Sequence, residues 1–187
     1  CEFIEKSPGS HLFEKIESAD YLFTNKNPDL LIKPHGGDLI QRLNPFYKSS
    51  AQTSVELTEE QLMDAEQIAI GAFSPLEGFL TKKDFDSVVN TMRLSNGVVW
   101  PLPIVFDVEG KKIPELIEGR DVHLTYNNEL YGILHLEEIY RIDKEKAALA
   151  IFGTVDTNHP GVKKFLEMHD HFLGGKITLL KRRNSPY

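Results

Sequence analysis

Between residues 98 and 181 the apolar residues come in short runs, most of them closed off by proline, glycine or paired asparagines. Runs of that length have room for a strand but not for a long helix. Val122–Tyr126 and Leu130–Leu136 flank Asn127-Asn128, and asparagine tolerates the positive φ that a tight hairpin demands. Val98–Val108 is apolar but contains Pro101 and Pro103, which cannot donate a ladder hydrogen bond, so it is expected as an edge or irregular strand. Ala147–Val155 and Gly175–Lys181 complete the predicted strands. Three helices are placed among them. Thr58-Glu59-Glu60-Gln61 fits a capping box, predicting a helix to about Ile70 that ends before Gly71. A second opens at Thr81, with Asp84 three residues on. Phe85, Val88, Val89 and Met92 then fall at i, i+3, i+4 and i+7, the pattern of one buried stripe to residue 92. A third starts at Pro160, favoured at a first helical position, and runs to about residue 168 with Val162, Phe165 and Leu166 facing inward. Short strands with few helices predict a mixed α+β, mainly β, barrel-like domain rather than a doubly wound sheet.

At 187 residues the chain suffices for one domain and an arm. The arm is assigned to residues 1–30, where Leu12, Phe13 and Ile16 mark a short amphipathic helix broken by Asn25, Asn27 and Pro28. No apolar run approaches the roughly 18 residues of a membrane span, and no basic segment leads into an apolar one as in a signal peptide. The expected setting is cytoplasmic. Opening on Cys-Glu-Phe rather than Met predicts a processed or excerpted terminus. Cys1 is the sole cysteine, so neither an internal disulfide nor a cysteine-based zinc site is available. With 28 acidic against 21 basic residues the net charge is −7. Nucleic-acid affinity draws on cations that neutralise phosphates, so this balance argues against it. Lys181-Arg182-Arg183 reads as a solvated end.

The motifs that suggest chemistry each fall short. Gly174-Gly175-Lys176 has Asp170 where a phosphate loop needs glycine and Ile177 where it needs Ser or Thr. It reads as a loop opening the last strand. His169 and His171 share a strand face but have no third ligand nearby, and His35, His123 and His135 lie far apart in sequence. Ser74 precedes Pro75, with glycines three before and four after, which is not the Gly-x-Ser-x-Gly of a nucleophile elbow. On this reading no residue is catalytic, cofactor-binding or metal-ligating.

A resemblance adds to this. Glu66–Phe79, with Gly71-Ala72-Phe73-Ser74-Pro75-Leu76-Glu77-Gly78-Phe79 at its centre, closely resembles a segment of the ATP sulfurylases. Met92-Arg93-Leu94 and Gly97–Val105 come next at the family's spacing. Ile151-Phe152-Gly153-Thr154, His159-Pro160-Gly161-Val162 and Phe172–Ile177 match later blocks, and Lys33-Pro34-His35-Gly36-Gly37 resembles the family's prokaryotic start. The resemblance implies a PUA-like domain over 31–181, a distorted β-barrel with flanking helices, followed by a linker from Arg182 to Tyr187. It implies an accessory role in a sulfate adenylyltransferase, docking on or orienting a catalytic domain of the same polypeptide, with an apolar patch exposed for that contact and homo-oligomers allowed. The family's Gln-x-Arg-Asn-Pro-x-His-x-Gly-His signature is not found before Tyr187. ATP and Mg²⁺ are therefore expected for the parent enzyme, and this chain alone is expected to be inactive. The alternative is a stand-alone PUA-like module that binds RNA or regulates. It is disfavoured by the net charge and by the lack of an aromatic-plus-basic stripe.

Overall fold

Thr58 starts the first helix as its spacing predicts. Its hydroxyl accepts from Gln61 N at 3.2 Å while the Gln61 side chain accepts from Thr58 N at 2.9 Å, a complete capping box. This computed structural model describes residues 33–183. The chain divides into two units, Cys1–Lys33 and Pro34–Tyr187, and the sheet and its helices belong to the second. The arm expected over residues 1–30 lies outside the described residues.

The elements are β1 (Ser54–Glu56), α1 (Glu59–Ala69), β2 (Gly78–Phe79), α2 (Lys82–Thr91), β3 (Asp107–Val108), a 3₁₀ helix (Gly110–Glu115), β4 (Asp121–Tyr126), β5 (Glu129–Arg141), α3 (Lys144–Phe152), α4 (Pro160–Glu167) and β6 (His171–Leu179). The six strands make one mixed sheet in the order β1-β4-β5-β6-β2, with β3 also on β6. Only β1 and β4 pair in parallel. The mainly-β, mixed α+β class stands. The barrel does not close, because the described path runs from β1 to β2 without returning.

The hairpin forms where the paired asparagines predict it. Asn127 and Asn128 take φ of 51° and 63°, joining β4 to β5. β5 is longer than its apolar run suggests, and an irregularity between Leu136 and Glu138 bends it so that it follows β6 to Arg141. α1 buries Leu62, Ala65, Ile68 and Ala69 against the sheet, where each large aliphatic side chain contributes about 2 kcal/mol. A second apolar cluster gathers Phe85, Val105, Tyr140, Ala147, Ala148, Phe165 and Phe172 between α2, α3, α4 and β6.

Three expectations are corrected. Ala147–Val155 is not a strand: Asp143 caps α3 by accepting from Lys146 N at 3.0 Å, and Gly153 ends it in the left-handed region at φ 72°. Alanine is a poor strand former, and the Asp and Gly are helix punctuation. Met92 does not join the buried stripe. It caps α2 at φ 54°, which turns its side chain outward to 60% exposure. Gly174-Gly175-Lys176 lies within β6 rather than in a loop before it, since Phe172 and Leu173 are already fully buried strand residues. Val98–Val108 is irregular as its prolines require, pairing only at Asp107–Val108 beyond an isolated Arg93–Val99 bridge. The chain's one tryptophan, Trp100, sits there between His35 and Phe73, each 6.0 Å away by ring centroid, with its buried Nε1 unpartnered among the described residues.

Gly78→Ala tests how tightly β2 and β6 cross. An added β-carbon would meet the Gly175 carbonyl oxygen at 1.9 Å, so unfolding free energy should fall by about 3 kcal/mol. Gly97→Ala, where φ is +90° but nothing lies within 4 Å, should lose only about 1 kcal/mol by denaturant titration.

Candidate functional site

The sheet brings together side chains that lie far apart in sequence. Asp121 on β4 and His135 on β5 are register partners, and His135 Nδ1 donates to Asp121 Oδ1 at 2.7 Å. His135 Nε2 lies 2.9 Å from Thr178 Oγ1 on β6. Ser49 Oγ donates to Asp121 Oδ2 at 3.0 Å, Tyr47 OH reaches the same oxygen at 3.4 Å, and the Tyr47 ring packs edge-on against His135. Burial pulls the Asp121 carboxyl up, but hydrogen bonds from His135 and Ser49 outweigh it and hold the group below the usual carboxylate range. Asp121 also borders a cleft of about 630 Å³ whose walls include Gln52, Thr53, Glu115 and Arg120. By sequence alone His135 stands isolated. Only the pairing of β4 with β5 brings Asp121 opposite it, and no local motif carries that information.

Thr178, His135 and Asp121 have the connectivity of a nucleophile relay without its surroundings. Thr178 is buried in mid-strand. The next amide, which a nucleophile elbow uses for its oxyanion hole, is donated by Leu179 to Arg42 O at 2.8 Å. The network therefore positions the strands, and the Leu179 amide is engaged with Arg42 rather than free to receive an oxyanion.

Several other singled-out residues are likewise engaged. Ser74 is buried, donates to Gly71 O at 2.6 Å and accepts from Ile40 N at 3.0 Å, so its hydroxyl ties a turn. Lys176 Nζ donates to Glu77 at 3.1 Å, with Arg42 on the same carboxylate at 3.5 Å. His169 is held by Asp107, whose Oδ2 accepts from both the His169 amide and ring Nδ1 at 2.8 Å. Asp107 Oδ1 accepts from Gln61 at 2.8 Å. These side chains border a pocket of about 330 Å³ beside Lys111 and Lys112. Among the described residues, no group of three or more His, Cys, Asp or Glu is placed to hold a metal ion, and no helix is long and apolar enough to cross a membrane.

A largely buried ion pair lies at the C-terminal edge. Glu66 on α1 is only 7% exposed and receives Arg183 three times: from its backbone N at 2.6 Å, Nε at 3.2 Å and NH2 at 3.1 Å. Arg183 NH1 also donates to Glu59 at 3.3 Å. A buried carboxylate needs such partners to remain charged. Arg183 is thus fastened to the domain, where the sequence suggests a solvated tail; Ser185 and Pro186 lie outside the described residues.

This open mixed sheet with flanking helices matches the family model described as a PUA-like domain over residues 32–182, and the chain belongs to that family. Within it, the likeness is to sulfate adenylyltransferases. The chain is 40% identical to the enzyme of Staphylothermus marinus over 164 residues, covering 84% of this chain and 43% of that protein. It is 42% identical to that of Halothermothrix orenii over 161 residues, covering 81% and 42%. It thus spans less than half the length of these relatives. Among solved structures, the hexameric APS kinase from Thiobacillus denitrificans shares the fold at a TM-score of 0.63 and 21% identity, over 83% of this chain and 28% of that one.

Two carboxyls should pull the pH dependence in opposite directions. Asp121 is held low in the folded state, so its contribution is present above the unfolded pKa and lost as pH falls through the folded one. Asp64, half-buried on α1, is pushed up to about 6 by burial, against the pull of Lys164. Its folded state binds the proton more tightly, so stability declines as pH rises from about 4 towards 6. Asp121→Asn should flatten the acid limb of stability. Asp64→Asn should raise stability at pH 7 by about 1 kcal/mol after solvent screening, both read from denaturant midpoints across pH.

Proposed function

We propose that this chain is the accessory PUA-like domain of a sulfate adenylyltransferase and docks on or orients a catalytic domain of the same polypeptide. The observation that carries the reading is the 40% identity to such an enzyme across 84% of this chain but only 43% of the relative. On this reading residues 1–30 are an arm, 31–181 the domain and 182–187 the start of the connection onward, in a cytoplasmic protein.

The parent reaction joins a sulfate oxygen to the α-phosphorus of ATP while the bond to the β-phosphoryl oxygen breaks and pyrophosphate leaves. Two anions must be brought together, which requires positioned cations and backbone donors. Several cations of this domain are committed to its own carboxylates and carbonyls. Lys176 and Arg42 sit on Glu77, Arg183 sits on Glu66 and Glu59, and Lys144 donates to the carbonyls of Leu166 and Met168 at 2.9 and 2.6 Å. Among the described residues no three or more His, Cys, Asp or Glu side chains are placed together to hold a metal ion. On the accessory-domain reading, ATP and Mg²⁺ belong to the rest of the parent protein. What the domain contributes is a mixed sheet whose C-terminal edge is tied to α1 through Arg183 and Glu66.

Residues 1–187 alone should form no adenylylsulfate from ATP and sulfate, and should not take up Mg-ATP with micromolar affinity in calorimetry. Turnover by this chain, or a micromolar dissociation constant, would show the accessory reading to be wrong. RNA retained in a gel shift at about 0.15 M salt would favour the RNA-binding alternative instead.

A further inference from the structure

After α2 the chain folds back on itself over residues 92–100. Trp100 N donates to Met92 O, Leu94 N to Val98 O and Gly97 N to Leu94 O, each at 2.8 Å, and Arg93 bridges to Val99. The tip is Leu94-Ser95-Asn96-Gly97, a β-turn closed by the Gly97–Leu94 bond, with Gly97 in the left-handed region at φ 90°. Two side chains fasten it. Asp84 Oδ1 on α2 accepts from Ser95 N at 2.8 Å, and Arg93 Nη1 donates to Gly97 O at 2.9 Å.

Asn96 is the one asparagine of the chain that is followed by glycine. The backbone nitrogen of a following residue can attack an asparagine amide carbon, and a side chain on that residue hinders closure of the ring. Gly97 has none, and the fold supplies no substitute wall, since a β-carbon there would have nothing within 4 Å. The exposed Asn96 side chain is already curled over this nitrogen: its Oδ1 accepts from Val98 N at 3.1 Å, closing a ring that runs through Gly97 N. That bond also draws electron density from the amide carbon. The brake is the Gly97 N–H itself, which is given to Leu94 O. Other asparagines are placed differently. Asn44 precedes Pro45, which has no N–H, and Asn127 and Asn158 precede Asn128 and His159, which carry side chains. Asn90 lies within α2 with its Nδ2 donating to Asp86 O at 2.7 Å.

We infer that Asn96 is a site of spontaneous deamidation, with water as the only co-reactant, and that the hydrogen bonds of its turn set the rate. When the turn opens, Gly97 N attacks Asn96 Cγ and a five-membered succinimide closes. The Cγ–Nδ2 bond breaks, and the side-chain nitrogen leaves as ammonia with the proton given up by Gly97 N. Water then opens the ring at either carbonyl, leaving aspartate or isoaspartate. Both products place a carboxylate where Asp84, Glu77 and Glu137 already border a cavity of about 210 Å³, and Lys176, on the same wall, is held by Glu77. Isoaspartate also adds one atom to the main chain, so the Gly97–Leu94 and Leu94–Val98 bonds no longer match in register. Conversion therefore unfastens the 92–100 loop irreversibly.

The test incubates the folded full-length protein in mildly alkaline buffer, unmodified and as Gly97→Ala, Asn96→Gln and Arg93→Ala. Mass spectrometry of the peptide spanning residues 94–100 follows the gain of one mass unit, and enzymatic methylation detects isoaspartate. Asn96 should convert at least about tenfold faster than Asn127 or Asn158, faster still as pH rises, and should yield isoaspartate beside aspartate. Gly97→Ala should slow it about tenfold. Asn96→Gln leaves the backbone as it is and should abolish the mass gain, because its longer side chain closes a six-membered ring far more slowly. Arg93→Ala releases Gly97 O and should speed conversion about threefold by easing local opening. Limited proteolysis within residues 93–99 should cut the aged protein faster than the fresh one. Conversion at Asn96 no faster than at Asn127, aspartate without isoaspartate, or a mass gain that survives Asn96→Gln overturns the inference. So does an Arg93→Ala protein that ages at the unmodified rate, or an aged loop cut no faster than a fresh one.

Discussion

Everything in this domain depends on three glycines where the strands cross. A β-carbon on Gly78 would meet Gly175 O at 1.9 Å, one on Gly174 would meet Thr81 Cα at 2.7 Å, and one on Gly175 would meet His135 O at 2.1 Å. No side chain can be accommodated where backbone opposes backbone at these distances, so β2, β5 and β6 approach this closely only because these positions are bare. The same approach sets the start of α2. Thr81 makes no side-chain cap, and the first amide of the helix is received by Glu138 of β5 at 2.8 Å. It also lets Tyr140 reach across to Leu80 O at 2.8 Å and stack on Phe172, joining the second apolar cluster to the sheet.

The polar side chains serve the same end. His135, Asp121, Thr178 and Ser49 hold β4, β5 and β6 to the segment before β1, while Asp107 holds Gln61 and His169 together. Such groups must be satisfied when drawn out of water, and here the partners are supplied by neighbouring strands. In these contacts the titratable groups stabilise strand and helix positions within the scaffold.

Much of this is legible in the sequence because the signals are local. The capping box at Thr58, proline at the start of α4 and the asparagine pair of the hairpin each act within four residues, and each forms as its residues predict. The failures are of two kinds. Ala147–Val155 reads as a strand on apolarity alone, although Asp143 and Gly153 frame it as a helix. The other differences need partners distant in the chain: Gly174-Gly175 is strand only because β2 and β5 pass so close, and the Asp121–His135 and Arg183–Glu66 contacts join residues 14 and 117 positions apart. No spacing rule reaches that far without the fold.

The packing of Trp100 has a practical outcome. As the one indole in the chain, it is the natural emitter of the domain, and its neighbours His35 and Phe73 come from the opening turn and from the Gly71–Pro75 bend. His35 Nε2 lies 2.6 Å from Val99 O, beside the indole. Indole emission depends on what packs against the ring, so the Trp100 fluorescence reports whether the Pro34–Gly37 turn that carries His35 is seated. The protein therefore carries a built-in optical gauge at the opposite end of the sequence from Arg183.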